Sequence, residues 1–526
     1  MWTITFLVAA CLIFLIDLGG VPLRDWDEGT VAQVAREMSR APSWSGWLHP
    51  QLWGEPYLNK PPLVHSCIAG LYRVVGVTEW GARLPGAILT ASSVPLVYGV
   101  GRELFMTRLP AVMAGMVYLT LLPVVRHGRL TMLDGAVVCF FLILIGATLR
   151  SRQDLRWCLG IGLGFSLIGL TKSIIALLLL AIGLGFLVWD TPRLFRSSYL
   201  WLGLGLGAIP LGLWYGVQAH HYGNLFVEVG LQAQSFDRIW NSVEDHQGYP
   251  WYYLLELLKY SWPWLLFWPW GLARIWQERD LSWAKLLGLW TGGYLLAISV
   301  MGTKLPWYIF PLYPAIALTI GVVLAEVWNG AGGWSGVRHT PQRFPTFWTG
   351  SLSFLALVGW VGAFYFSPWG GEPSGSAQLA LSLVAAGLSL GAGLAHRQNP
   401  QFIPVLAWGC YGGLVVLMTS PVWLWELNED YPVQPIAAMI RTQVPQGQVV
   451  YTTHSHGRPS LNFYSDRHII AVSPEQAQEY WSQADPVYLL IGPTFQAQLG
   501  TGEMEELGRW QEGDWQAWVL VRRSRS

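Results

Sequence analysis

Apolar stretches long enough to cross a bilayer recur along the chain at 1–19, 82–101, 108–126, 131–149, 157–170, 173–189, 199–218, 251–273, 284–302, 306–327, 346–366, 377–395 and 402–425. A helix gains about 1.5 Å per residue, so about twenty apolar residues bridge the hydrocarbon layer. The pattern predicts an all-α polytopic membrane protein with about 13 transmembrane helices over residues 1–425. The run 157–189 is too long for one helix and is interrupted by Thr171-Lys172, so two short helices are expected there. Residues 61–77 are apolar but include Arg73, and read as a helix that lies along the interface or re-enters. Residues 1–18 lack a basic leader and a small-x-small cleavage site, so they read as a retained transmembrane helix. After Trp425 the pattern changes. Residues 449–451, 468–472 and 487–491 read as short strands, with helices at 434–443 and 474–483. Residues 426–526 are thus expected to form a small soluble α/β domain, enough for a modest core.

Positive charge orients the helices. Arg102 and Arg108, Arg150 to Arg156, Arg193 and Arg196, Arg274 to Lys285, Arg338 and Arg343, and Arg397 fall in alternate loops. Such loops face the cytoplasm. The 20–81 and 219–250 loops and the C-terminal domain are therefore expected on the extracytoplasmic side of an inner or plasma membrane. Charged residues are only 12% of the chain and the net charge is zero, which offers nothing to nucleic acid. The 32 tryptophans suit interfacial belts. Five scattered cysteines give neither a disulfide framework nor metal-ligand spacing.

The outer loops hold the ionisable groups. Asp25, Asp27 and Glu28 fall within four residues at the end of the first span. Acids beside a bilayer are costly unless hydrated or paired, and so read as functional, against the alternative of a solvated acidic loop. Lys60, Arg129, Asp134, Lys172, Glu228, Arg238, His246 and Lys304 join them, and such a set could line one cavity. Its carboxylates would supply a general base, and its cations would hold a phosphate. Arg238, Glu244 and Asp245 read better as ordinary juxtamembrane charges. Residues 28–38 have helical apolar spacing, predicting an amphipathic helix on the membrane with Asp27 as its N-cap. Lys60 precedes Pro61-Pro62 at the start of the interfacial helix, where the dipole disfavours a cation. A nearby anion such as a lipid phosphate would reconcile this, and a snorkelling lysine is the alternative.

Asp27-Glu28, Ala35-Arg36-Glu37-Met38 and residues 57–63 resemble the first outer loop of the GT-C glycosyltransferases, in particular the protein O-mannosyltransferase superfamily and the lipid A aminoarabinose transferases. Residues 129–134, Leu170-Thr171-Lys172, 246–253 and 302–314 resemble later family segments in the right order, over roughly the first 320 residues. The resemblance implies a GT-C fold with interfacial helices in the first outer loop. It implies transfer of a sugar from a polyprenyl-phosphate donor to a lipid, glycan or protein acceptor, on the outer face, with inversion. It gives Asp27, beside Glu28, the part of base or acceptor-positioning group, and Asp134 that of the second-loop acid. Lys60 matches the phosphate-binding lysine, and Tyr57 and Tyr308 the phosphate- or sugar-facing tyrosines. Asn59, Arg129, Lys172, His246 and Lys304 fall on the substrate side. The cofactor the resemblance brings is a divalent metal ion, and Asn59 stands where aminoarabinose transferases carry the glutamate that contacts it. Thr30-Val31 likewise replaces their Arg–Tyr pair. The competing reading, a transporter or flippase of lipid-linked glycans, predicts repeated halves and broken mid-membrane helices, which the sequence does not display.

Overall fold

A computed structural model describes residues 1–240, 248–330, 344–425, 431–483, 486–499, 504–513 and 516–523. Glu244, Asp245, His246, Arg338 and Arg343 lie outside the described residues. The chain divides into two compact units. One comprises Met1–Leu18, Leu58–Val64 and Arg83–Trp423, the other Gly19–Tyr57, His65–Ala82 and Leu424–Ser526.

The first unit is helical. Among the described residues, Glu79–Leu104, Ser198–Tyr222, Ser282–Val300, Pro306–Trp328, Thr346–Tyr365 and Gly375–His396 are long and apolar enough to cross a membrane. Leu109–Leu119 and Leu122–Gly128 qualify together but bend by 59° at a break that Pro123 follows in the first turn of the second helix. Among the other expected spans, 131–149 folds as the helix Asp134–Arg150, and shorter apolar helices are Trp2–Leu15, Leu155–Gly169, Ile175–Asp190 and Phe402–Met418. The split at Thr171-Lys172 falls between the second and third of these shorter helices. Residues 251–273 fold as Tyr252–Tyr260, a 3-10 turn Trp264–Phe267 and Trp268–Gln277, because Pro263 and Pro269 cannot donate to the preceding turn. Glycines set the tightest packing. A Cβ on Gly162 would stand 1.7 Å from the Gly203 carbonyl, and one on Gly207 would stand 2.2 Å from that of Gly162. The helices 158–169 and 198–222 therefore meet backbone to backbone, as small residues permit in lipid. The outward face of the latter shows Leu202, Leu206, Ile209 and Leu213 to the surroundings, as lipid requires of an integral membrane protein.

Two buried arginines brace this unit. Arg83 donates to the Leu18 carbonyl at 3.1 Å. Arg129 donates to Ile13 at 2.8 Å, Met418 at 3.1 Å and Asp17 at 3.3 Å, all backbone carbonyls. Both guanidinium groups lie over the Trp423 ring, 5.3 Å and 4.9 Å from its centroid. Helix-end carbonyls carry partial negative charge, so these cations satisfy orphan acceptors as well as themselves.

The second unit joins the first loop to the C-terminal module. A hairpin of β1 (Gln51–Leu52) and β2 (Glu55–Pro56) accompanies a sheet of β3 (Val449–Thr452), β4 (His468–Ala471), β5 (Val487–Ile491), β6 (Met504–Trp510) and β7 (Trp518–Arg523). The sheet order is β4-β3-β5-β7-β6, parallel among β3, β4 and β5 and antiparallel on the β7–β6 side. Ile436, Ile440, Leu461, Leu490 and Leu520 fill one face, and Trp481, Leu489, Ile491, Val519 and Val521 the other. Strands β3 to β5 and the helices Val433–Gln443 and Pro474–Gln483 follow the sequence pattern.

The helix Asp27–Arg40 corrects one expectation. Its apolar side chains Val31, Val34, Ala35 and Met38 are buried in protein, and on another face a Cβ on Gly29 would stand 2.6 Å from the Ser460 nitrogen, at the helix Pro459–Ser465. Its N-cap is Trp26, and Asp27 is its first residue. Arg36 donates to the Phe463 carbonyl at 2.7 Å and lies 4.0 Å from that ring, and Arg40 forks onto Asp466 with two 2.9 Å bonds. Burial opposes ionisation of Asp466, but the Arg40 hydrogen bond and the charges of Arg36, Arg40 and Arg467 outweigh it, holding its carboxyl below the usual range. A depressed carboxylate pKa contributes stability that is present above the unfolded value, about 3.9, and lost as pH falls through the folded one. Acid unfolding of this unit, followed by circular dichroism, is expected to begin below about pH 4 and to flatten in Asp466→Asn.

Candidate active site

A cavity of about 250 Å³ opens in the first unit. Asn59 and Lys60 reach it from the segment before the Pro61-Pro62 pair, which starts the helix Leu63–Val75. The segment is anchored where the Leu63 N–H donates to the Leu170 carbonyl at 3.2 Å. Lys172 comes from the break between the helices 158–169 and 175–190, Arg238 from the short helix Asp237–Trp240, and Tyr308 from the 3-10 segment Pro306–Leu312. Ile174, Leu178, Ala297, Ile298 and Met301 supply an apolar wall. Among the described residues the lining holds the cations Lys60, Lys172 and Arg238 and no carboxylate.

The polar groups are aimed by neighbours. Lys172 Nζ donates to Asp134 Oδ1 at 2.7 Å, and Asp134 is almost fully buried at the first turn of the helix Asp134–Arg150. The same ammonium lies 5.3 Å from the Tyr308 ring centroid. Arg238 Nη1 donates to the Tyr308 hydroxyl at 3.4 Å, while its buried Nε has no hydrogen-bond partner among the described residues. Tyr294 fixes the turn by donating its hydroxyl to the Tyr308 carbonyl at 2.7 Å. The arrangement offers an anion several N–H donors beside an apolar wall.

Other expected residues have different surroundings. Arg129 is committed to the three carbonyls described above. Lys304 Nζ donates to Ser299 at 2.8 Å and to the Met301 carbonyl, capping the C-terminal end of the helix Tyr294–Val300. Tyr57 is buried in the second unit, its ring 5.5 Å from that of His65. The three acids of the first loop have separate roles. Asp25 takes an ion pair from Arg458 and bonds from the Ser460 hydroxyl and, at 3.1 Å, its N–H. Glu28 is fully buried and accepts the Arg24 N–H at 2.8 Å. Asp27 is the first residue of the helix Asp27–Arg40 and, like Asp25, is partly buried. Among the described residues no three His, Cys, Asp or Glu side chains gather as a metal site would need. Sequence reading misses Arg238, which resembles a plain loop charge, and the Asp25–Arg458 pair, whose members lie 433 residues apart.

Helical spans, a small α/β module and a cation-lined cavity reached by the first loop's lysine are the features to set beside known proteins, and the likeness lies with membrane glycosyltransferases. Residues 59–215 match the family model described as dolichyl-phosphate-mannose-protein mannosyltransferase. Over 332 residues, 61% of the chain, it is 28% identical to undecaprenyl phosphate-alpha-4-amino-4-deoxy-L-arabinose arabinosyl transferase 1 of Pseudomonas fluorescens. It is 24% identical to the corresponding transferase of an Enterobacter species over 500 residues, 90% of this chain and 82% of that one. The match spans about three fifths of the length of the Pseudomonas fluorescens protein (59%). In fold it is similar to the crystal structure of ArnT from Cupriavidus metallidurans bound to undecaprenyl phosphate, with a TM-score of 0.79 at 18% identity, covering 99% of this chain and 98% of that one.

Proposed function

We propose that this chain is an integral membrane glycosyltransferase that moves a sugar from a polyprenyl-phosphate donor to a lipid, glycan or protein acceptor on the outer face of the membrane, with inversion. The observation that carries this reading is the cavity, which combines an apolar wall with Lys60, Lys172 and Arg238 and no lining carboxylate among the described residues. A lipid phosphate has that same pairing of apolar tail and anionic head. The arabinosyl transferases named above, by their names, use undecaprenyl phosphate-linked arabinose, which supports a bacterial polyprenol and a pentosyl group, while the mannosyltransferase family model supports a hexosyl group as the other choice. Counting the short helices, the chain makes about 13 crossings. Its positive loops lie in the cytoplasm, which puts the cavity mouth and the C-terminal domain outside.

In this mechanism the acceptor oxygen attacks the anomeric carbon from the face opposite the phosphate. The bond from that carbon to the phosphate oxygen breaks, and its electron pair stays on the phosphate. Lys60, Lys172 and Arg238 offset the charge that grows there, and Tyr308 donates its hydroxyl proton. The family resemblance gives Asp27 the part of orienting the acceptor hydroxyl and taking its proton, and within the first unit Asp134 holds Lys172 in place. Glu28, Arg129 and Lys304 hold the loops in place. The test supplies membranes bearing the protein with radiolabelled polyprenyl-phosphate sugars and follows free polyprenyl phosphate together with labelled product. Stoichiometric appearance of both is expected. Movement of intact donor across the bilayer without its cleavage would favour the flippase instead.

A further inference from the structure

Trp26 sits where two local rules disfavour it. It is the N-cap of the helix Asp27–Arg40, with φ 61° and ψ −97°. Caps favour Ser, Thr, Asp, Asn or Gly, and a bulky residue at positive φ is a true outlier. It is also 54% exposed, so no core packing repays the strain. The conformation is held from both sides: Asp25 is tied to Arg458 and Ser460, and Glu28 accepts the Arg24 N–H. The indole lies against the His456 ring, centroids 5.6 Å apart and planes 25° from parallel. His456 is buttressed in turn. Its carbonyl meets His454 Nδ1 at 2.9 Å, its own Nδ1 meets Ser455 Oγ at 3.0 Å, and the His454 ring packs edge-on against Tyr431 at 5.2 Å. An exposed aromatic held in strain beside a candidate acid points to use by a ligand.

We propose that Trp26, backed by His456, is the platform on which a saccharide ring of the acceptor stacks, presenting a hydroxyl to Asp27. The proposal rests on the reading of Asp27 given above and names the acceptor class. A pyranose has an apolar C–H face and a rim of hydroxyls. The indole suits the face, and the carboxylate at position 27 accepts from the rim. An acyl chain uses only the first. Through its 454–456 loop, the C-terminal module thereby shapes acceptor choice.

The test uses the full chain in nanodiscs with millimolar methyl glycosides of gluco, galacto and manno configuration, N-acetylglucosamine, and a Ser/Thr peptide as competitor class. Saturation-transfer NMR is expected to show transfer to the C–H protons of one ring face in the wild type. Transfer should be at least about fivefold weaker in Trp26→Ala, retained in Trp26→Phe and reduced in His456→Ala, with undecaprenyl phosphate binding unchanged in all three. Undiminished transfer in Trp26→Ala, no transfer in the wild type, or Trp26-dependent binding of the peptide alone would each overturn the platform. Retained lipid-phosphate binding in those cases leaves the transferase reading standing, whereas its absence from the wild type removes both.

Discussion

Lys172→Ala is expected to cost two things at once, and Asp134→Asn should separate them. The lysine and the aspartate form a buried pair at 2.7 Å. Removing the cation strands a carboxylate, which costs about 3–5 kcal/mol in buried pairs. Thermal unfolding in nanodiscs should register that loss. Adding Asp134→Asn removes the stranded charge and should restore most of the stability. Affinity for a polyprenyl phosphate should stay about 10- to 100-fold below wild type, because a hydrogen bond to a charged group is worth about 1.5–3 kcal/mol. A lysine that served structure alone would give a double variant with both properties restored.

Asp27→Asn is expected to leave the fold intact and to reduce turnover by about 10²- to 10⁴-fold, the range general base catalysis supplies. The cap of the helix is Trp26, so the substitution removes no cap, and the dipole interaction it loses at the first turn is worth about 0.3–1 kcal/mol. Donor binding should be unaffected. Asparagine still orients an acceptor but takes no proton, so the size of the loss reports the chemistry. A drop below about tenfold would mark an acceptor that needs no base, such as a phosphate, and leave Asp27 a positioning group. Glu28→Gln provides the contrast, since that carboxylate is fully buried on the Arg24 N–H and should act on stability first.

Local signals in the sequence carry much of the architecture. Apolar runs locate the spans, Thr171-Lys172 marks the helix break, and the 28–38 periodicity finds the first-loop helix. Periodicity reports that a face is buried and not what buries it. It therefore suggests lipid over Val31, Ala35 and Met38, which the fold instead buries in protein, while Gly29 and Arg36 on another face meet the helix Pro459–Ser465. Strands β6 and β7 escape the pattern for opposite reasons. Met504–Trp510 is a largely exposed edge rich in glutamate, and Trp518–Arg523 is a short buried run ending in two arginines. The cations are legible as a set but not in their duties. Arg129 and Lys304 reach helix-end carbonyls, and nothing in their neighbours along the chain distinguishes them from Lys172. Arg238 resembles a loop charge because Tyr308, its partner, lies 70 residues away. The lysine before Pro61-Pro62 is the most informative single residue: its unfavourable place at a helix start implies an anion, and it does line the cation-bearing cavity.

The most direct measurement compares equilibrium binding of undecaprenyl phosphate and undecaprenol, the same tail without the phosphate, to the full chain in nanodiscs. A cavity built for a lipid phosphate should prefer the former by at least about 100-fold, and Lys172→Ala/Asp134→Asn and Arg238→Gln should each erode that preference. Equal binding of the two lipids, or a preference indifferent to Lys172 and Arg238, would contradict it.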